Sequence, residues 1–242
     1  MDSSSQILEF RRSDRVIRSG FCLAQTVLPE NPAIAQQEIS SLEWDRSSAF
    51  QNDRARNAFL LGRRCAKRAL TLLESNLDLK SISLLSGVAG NPILQGVFNP
   101  YEASISHSLD YAVAITSPAQ HPVTLDLERI RPDRVEAIER MLTSHEIEMI
   151  QASSDPVSTS TLIWTAKEAL SKWLRSGMSL HFKVLEVKSI QKEGDRISGS
   201  FSHVFHLRFE SWQVGPWWLT IVFPNKSQFK GFEPETLQKL KS

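Results

Sequence analysis

Three short segments carry residue types that could do chemistry together. The first is Thr124-Leu125-Asp126-Leu127-Glu128. On a strand, alternate side chains share a face, so Asp126 and Glu128 project together while Leu125 and Leu127 point to a core. Two adjacent carboxylates repel unless a cation neutralises them, and a hard ion such as Mg2+ suits an all-oxygen site. The plainer reading is an exposed strand face with Arg129 or Arg131 as counter-charge. The second segment is Trp164–Lys172. On a helix Glu168 and Lys172 share one face, with Lys167 at its margin. They either support the helix as an ordinary ion pair or supply a third carboxylate and an ammonium for phosphate. The third is Ser104-Ile105-Ser106-His107-Ser108. Its hydroxyls and imidazole could donate to phosphate oxygens, and His107 could act as a base. Alternatively, the serines satisfy the backbone of a strand end.

Composition narrows the classes of function. In 242 residues, 28 basic and 27 acidic side chains nearly cancel, so a whole-surface basic field for nucleic acid is absent. With 41% hydrophobic residues the chain can bury a core, as one large domain or two smaller ones. Cys22 and Cys65 are far apart and form no CxxC pair, which predicts two reduced thiols and no zinc site. Arg11, Arg12, Arg15 and Arg18 crowd the start, but the apolar run of a secretory signal is missing. No segment has the roughly 20 apolar residues of a membrane span. The expectation is a cytoplasmic protein with no nucleic-acid or membrane partner.

The elements that must position these residues follow from periodicity. Phe21–Ala24 reads as a short strand before Pro29 and Pro32. Residues 33–73 read as helical, with Phe59, Leu60, Cys65, Ala66, Ala69, Leu70 and Leu73 on one face and Asp45 or Asn52 as caps. Strands are predicted at Ile82–Leu85, Ala103–Ser108, Tyr111–Thr116 and Val123–Leu127, with a turn-rich loop at Gly87–Pro92. Residues 132–150 read as helix, 153–160 as a polar loop, and Leu162–Leu174 as a strong helix. Strands then follow at Phe182–Ile190, Gly199–Phe209 and Trp217–Val222, and the tail from Pro224 reads as peripheral. The tryptophans, Trp212, Trp217 and Trp218 among them, read as core or half-buried. The break at 117–122 is the expected junction of two α+β units, 1–118 and 119–242.

Taken together and in order, the motifs resemble the 4'-phosphopantetheinyl transferases of the surfactin-synthetase-activating type. Phe59–Arg63 is similar to the family's early helix motif, Gly90-Asn91-Pro92 to its Gly-Lys-Pro loop, and Thr143-Ser144-His145-Glu146 to a later T/S-x-x-E segment. The resemblance runs from about Arg46 to Leu180. It implies a monomer of two pseudo-symmetric α+β halves that transfers phosphopantetheine from coenzyme A to a serine of an apo acyl or peptidyl carrier protein. It further implies that Asp126, Glu128 and Glu168 hold Mg2+. Ser106 and His107 would contact coenzyme A phosphates, with Ser104 and Ile105 lining that site. Lys172 would contact phosphate, with Lys167 nearby, and Arg46 and Arg63 would serve the 3'-phosphoadenosine end. Glu168 is the expected base, with Glu128 the alternative. Asn91 and Ser86 stand where the family usually has basic residues, Thr124 where it has glycine, and Ser104 where it often has asparagine. Two other readings use the same residues: a metal-dependent phosphodiesterase, and a carrier-binding module without catalysis.

Overall fold

The computed structural model describes residues 2–26, 37–233 and 236–241. A hairpin of β1 (Asp2–Arg12) and β2 (Arg15–Gln25) comes first. Helices α1 (Ser41–Ser48) and α2 (Asp53–Thr71) follow. Next come a short hairpin, β3 (Ser83–Ser86) with β4 (Pro92–Gln95), and a longer one, β5 (Tyr101–Ser108) with β6 (Tyr111–Pro118). Much of this order then recurs. Strand β7 (Thr124–Arg129) leads to α3 (Val135–Glu139), α4 (Ser144–Gln151) and α5 (Pro156–Trp173). Hairpins β8 (Val187–Glu193) with β9 (Arg196–Phe201), and β10 (Leu207–Val214) with β11 (Trp217–Pro224), complete the repeat. A two-residue strand, β12 (Gln228–Phe229), follows.

The fold is α+β. The strands form two antiparallel five-stranded sheets, ordered β12-β1-β2-β6-β5 and β7-β11-β10-β9-β8, with β3 and β4 as a separate pair. Period-two alternation decides which residues go where. Phe21, Leu23, Val113 and Ile115 of the first sheet meet Leu125, Leu127, Leu219 and Ile221 of the second in one apolar layer. The opposite face of the first sheet carries the small residues Cys22, Ala24, Ala112 and Ala114, and α2 packs on it through Leu61, Cys65, Ala66 and Ala69. The second sheet is covered by α5 through Leu162, Ile163, Ala166 and Leu170. Small residues let helix and strand approach closely. A Cβ on Gly20 would lie 1.8 Å from the Ala69 carbonyl oxygen.

Several expectations need correction. Asn52 caps α2 by accepting from the backbone N–H groups of Arg54 and Ala55, but Asp45 lies inside α1, which Ser40 caps. The helix expected over 132–150 is broken between Glu139 and Ser144, where Thr143 begins a new helix with its own capping box. The polar loop expected at 153–160 ends at Asp155, the N-cap of α5, and residues 156–160 begin that helix with Pro156 in the first turn. Residues Phe182–Leu185 form a 3-10 turn, not strand, and residues 199–209 span two strands rather than one. The tail is not peripheral. Phe229 pairs with Phe10 and, with Leu237 and Leu240, is buried in the layer between the sheets. Residues 33–36 of the expected first helix lie outside the described residues. Both cysteines are free and buried, and Trp212, Trp217 and Trp218 are buried. No helix among the described residues is long and apolar enough to cross a membrane.

Candidate active site

Strand β5 ends its sheet and lies beside β7, the end strand of the other. Its alternation divides the Ser-Ile-Ser-His-Ser run into two rows. Ser104, Ser106 and Ser108 meet β7. The backbone N–H of Leu125 donates to Ser104 Oγ at 3.2 Å, Ser106 Oγ donates to Asp126 Oδ1 at 2.6 Å, and Ser108 Oγ donates to Glu128 Oε2 at 3.3 Å. Ile105 and His107 lie against α2 instead. The serines therefore join the two sheets at the carboxylate strand. On the same face of β7 as Asp126 and Glu128, Thr124 Oγ1 donates to the Ala169 carbonyl at 2.7 Å and fixes α5 against the strand.

Asp126 is 3% exposed. Lys172 Nζ reaches its Oδ1 at 2.7 Å and the Leu125 carbonyl at 3.0 Å. The ordinary Glu168–Lys172 helix pair is thus replaced by an ion pair across elements. Arg131 is ion-paired with Asp133 and feels the charge of Glu128 only weakly. Asp126 Oδ2 is buried with no hydrogen-bond partner among the described residues. Burial, followed by the negative charge of Asp126, pushes both Glu128 and Glu168 up to about 7. Ser108 and Lys172 oppose this at Glu128, and Lys172 at Glu168. Excess negative charge with an orphaned carboxylate oxygen is what a hard cation would satisfy. The side chains are nevertheless not drawn into one shell: among the described residues no three His, Cys, Asp or Glu groups stand at metal-binding spacing.

His107 packs on α2 because residue 62 is glycine. A Cβ there would fall 2.3 Å from His107 Nε2. Burial, and then the charge of Lys172, lowers the imidazole to about 4, against an opposing hydrogen bond to the Ala58 backbone. The rest of its surface is exposed, so solvent screens part of this effect. His107 is neutral at physiological pH. Arg63 stacks on Phe59, 3.3 Å from the ring centroid, and donates from Nη1 to the Phe59 carbonyl at 3.3 Å. Burial lowers it to about 10, with Glu43 opposing and Arg46 adding to the effect, so it keeps its charge. Arg46 is exposed on α1.

Lys167 does not line the site. Its side chain is fully buried, and Nζ is bound to Glu146 Oε1 and Oε2 at 2.8 and 2.6 Å. Glu146 also accepts from the backbone N–H groups of Thr143 and Val187. Lys167 thus ties α5, α4 and β8 together, and its expected place beside coenzyme A is corrected. The capping-box spacing of Thr143 and Glu146 was the available signal for this arrangement.

Two clefts flank the carboxylates. One, of about 460 Å³, is lined by His107, Ser108, Glu128, Trp164 and Glu168, with Arg129, Arg131 and Arg134 at its wall. The other, of about 370 Å³, is lined by the Gly90–Pro92 turn, Ser104, Ile105, Thr124, Lys172 and Arg175. A larger cleft of about 930 Å³, beside Arg12, Arg15 and Arg18, contains none of the carboxylates. Arg175 was not anticipated. It lies three residues past Lys172, just beyond the end of α5, where helical spacing alone no longer places a side chain.

Residues 122–222 match the family model of the 4'-phosphopantetheinyl transferase superfamily. The matched segment contains Asp126, Glu128, Glu168 and Lys172. Two solved structures resemble part of the chain. One is a holo-(acyl-carrier-protein) synthase from Bacillus anthracis str. Ames in complex with CoA (3',5'-ADP). It is 18% identical over 46% of this chain and 96% of that one, with a TM-score of 0.39. The other, the holo-[acyl-carrier-protein] synthase of Thermotoga maritima, is 18% identical over 44% and 67%, with a TM-score of 0.34. No curated protein matches the chain.

Proposed function

We propose that this protein is a 4'-phosphopantetheinyl transferase of the surfactin-synthetase-activating type. It moves the phosphopantetheine arm of coenzyme A to a serine of an apo acyl or peptidyl carrier protein. One observation carries this reading. Buried Asp126, held by Ser106 and Lys172 and flanked by Glu128 and Glu168, stands between two clefts within the segment that matches the superfamily. The proposal includes two halves, 1–118 and 119–242, with β12 of the second laid on β1 of the first. It also includes action as a monomer in the cytoplasm.

The reaction is an in-line displacement. The serine oxygen of the carrier bonds to the β-phosphorus of coenzyme A. The bond from that phosphorus to the oxygen bridging the two phosphates breaks, and adenosine 3',5'-bisphosphate leaves. The serine proton passes to Glu168, with Glu128 the alternative. In the metal-free site both carboxylates bind protons more tightly than usual, and a bound cation would lower them. Lys172, already paired with Asp126, leaves only part of its charge to the phosphates, and neutral His107 offers a hydrogen bond rather than a charge. Arg63 and Arg46 serve the nucleotide end. Asp126, with its unpartnered Oδ2, and Glu128 and Glu168 would hold Mg2+. When bound, that ion neutralises charge on the phosphoryl oxygens.

The test is mass spectrometry of several apo carriers after incubation with the protein, coenzyme A and Mg2+. One phosphopantetheine should be added per carrier, and chelation should prevent it. No added mass on any carrier would overturn the assignment.

A further inference from the structure

We infer that Arg175 and the Gly90–Pro92 turn form a subsite for a phosphate group of the nucleotide end of coenzyme A. The inference rests on the transferase reading and adds a binding residue to it. Arg175 directly follows Leu174, the C-cap of α5, and has φ +51°. That left-handed conformation normally belongs to glycine or asparagine at a helix end. Gly177 follows with φ +52°, and a Cβ on it would lie 3.1 Å from the Ala89 carbonyl oxygen. The chain after α5 therefore approaches the turn at Ala89, and both line the 370 Å³ cleft.

The charges around this cleft are unequal in availability. Lys172 is committed to Asp126. Asn91 is uncharged, and its side chain folds back over the turn, where a Cβ on Gly87 would meet Asn91 Oδ1 at 2.4 Å. Among the described residues Arg175 pairs with Glu102, and their side chains are 56% and 32% exposed. Such a pair is weak in water, whereas a phosphate offers a guanidinium two charge-assisted hydrogen bonds. A phosphate can therefore displace Glu102. Two plainer roles exist for Arg175: a tie between β5 and α5, or a cation complementing the C-terminal end of the helix. Neither requires it to touch a ligand.

Calorimetric titration with adenosine 3',5'-bisphosphate separates these roles. Arg175→Ala should bind about tenfold more weakly, as expected for one lost charged hydrogen-bonding group. Glu102→Gln should bind as tightly as the unaltered protein or more tightly, because it frees the guanidinium. Asn91→Lys added to Arg175→Ala should recover affinity, since residue 91 lines the same cleft. Unchanged binding by Arg175→Ala overturns the inference, as does equal weakening by Glu102→Gln, the result a mere tie predicts. If the unaltered protein binds no bisphosphate, the transferase reading falls with it. Melting temperatures of each variant distinguish lost contact from lost fold.

Discussion

The two parts of the molecule share a scaffold and differ in what they place on it. In the first, the capping-box residue Glu43 accepts from Ser40, from the Leu84 backbone and from Lys67 of α2, whose Nζ lies at 2.6 Å. In the second, the capping-box residue Glu146 accepts from Thr143, from the Val187 backbone and from Lys167 of α5 in the same way. Strand β2 packs on α2 where Gly20 meets Ala69, and β7 packs on α5 where Thr124 meets Ala169. Stepping two and four residues along each strand gives Cys22 and Ala24 in one part and Asp126 and Glu128 in the other. The neighbouring helix residues are Arg68, which binds Glu38, and Glu168. The buried lysine–glutamate lock belongs to the scaffold, which is why it occurs twice. The carboxylates occur once, and the proposed transfer would draw on them together with residues of the first part.

The largest expected effect breaks the asymmetric feature. Asp126→Ala should lower phosphopantetheine transfer by at least about a hundredfold, the scale for losing one preorganised electrostatic group. Cys22→Ala, at the matching place, should leave turnover intact. Carrier mass spectra with circular dichroism check both, and equal activity in the two variants would end the comparison.

Next come the symmetric locks. Lys67→Met and Lys167→Met each strand a buried carboxylate and should destabilise the protein by about 3–5 kcal/mol in urea titrations. Similar losses would support a shared structural role. A Lys167→Met protein of normal stability but weak coenzyme A binding would return that residue to the ligand site.

The two raised carboxylates of the second part should set the direction of a pH effect that His107, lowered by burial in the first part, opposes. Folding raises the proton affinity of Glu128 and Glu168, so the folded state binds more protons than the unfolded chain. Their contribution to stability is fully present below about pH 4.5 and is lost as pH rises toward 7. In chelator, the melting temperature should fall across that window, and Mg2+ should offset the fall. Glu128→Gln combined with Glu168→Gln should flatten both responses. The smallest effect is expected from Thr124→Gly, which removes one hydrogen bond. Chemical denaturation should show a loss of about 1 kcal/mol, with transfer retained.

Local chemistry made much of this legible before any fold was known. Alternation in residues 124–128 placed the two leucines inward and the two carboxylates together, as the structure has them. Elsewhere the local signals were present but competed. Asp155 and Pro156 mark a helix start, yet the surrounding serines read as loop because their burial comes only from packing; Ser158, for example, accepts from the Trp218 indole. Phe229 reads as part of a polar tail because it is buried only by packing, on Phe10 of β1, more than two hundred residues away, and on Trp212 and Phe223.

By itself the sequence determined which charged groups exist, which share a strand face or a helix face, and in what order they come. Those properties depend on backbone periods of 2 and 3.6 residues. Only the tertiary structure decided which group meets which. Lys172 turns to Asp126 rather than Glu168, Ser106 and Ser108 face carboxylates, Lys167 is sealed against Glu146, and Arg175 pairs with Glu102. Each is a contact between elements far apart in the chain, made when two sheets and two helices pack around one apolar layer, and no local period encodes it.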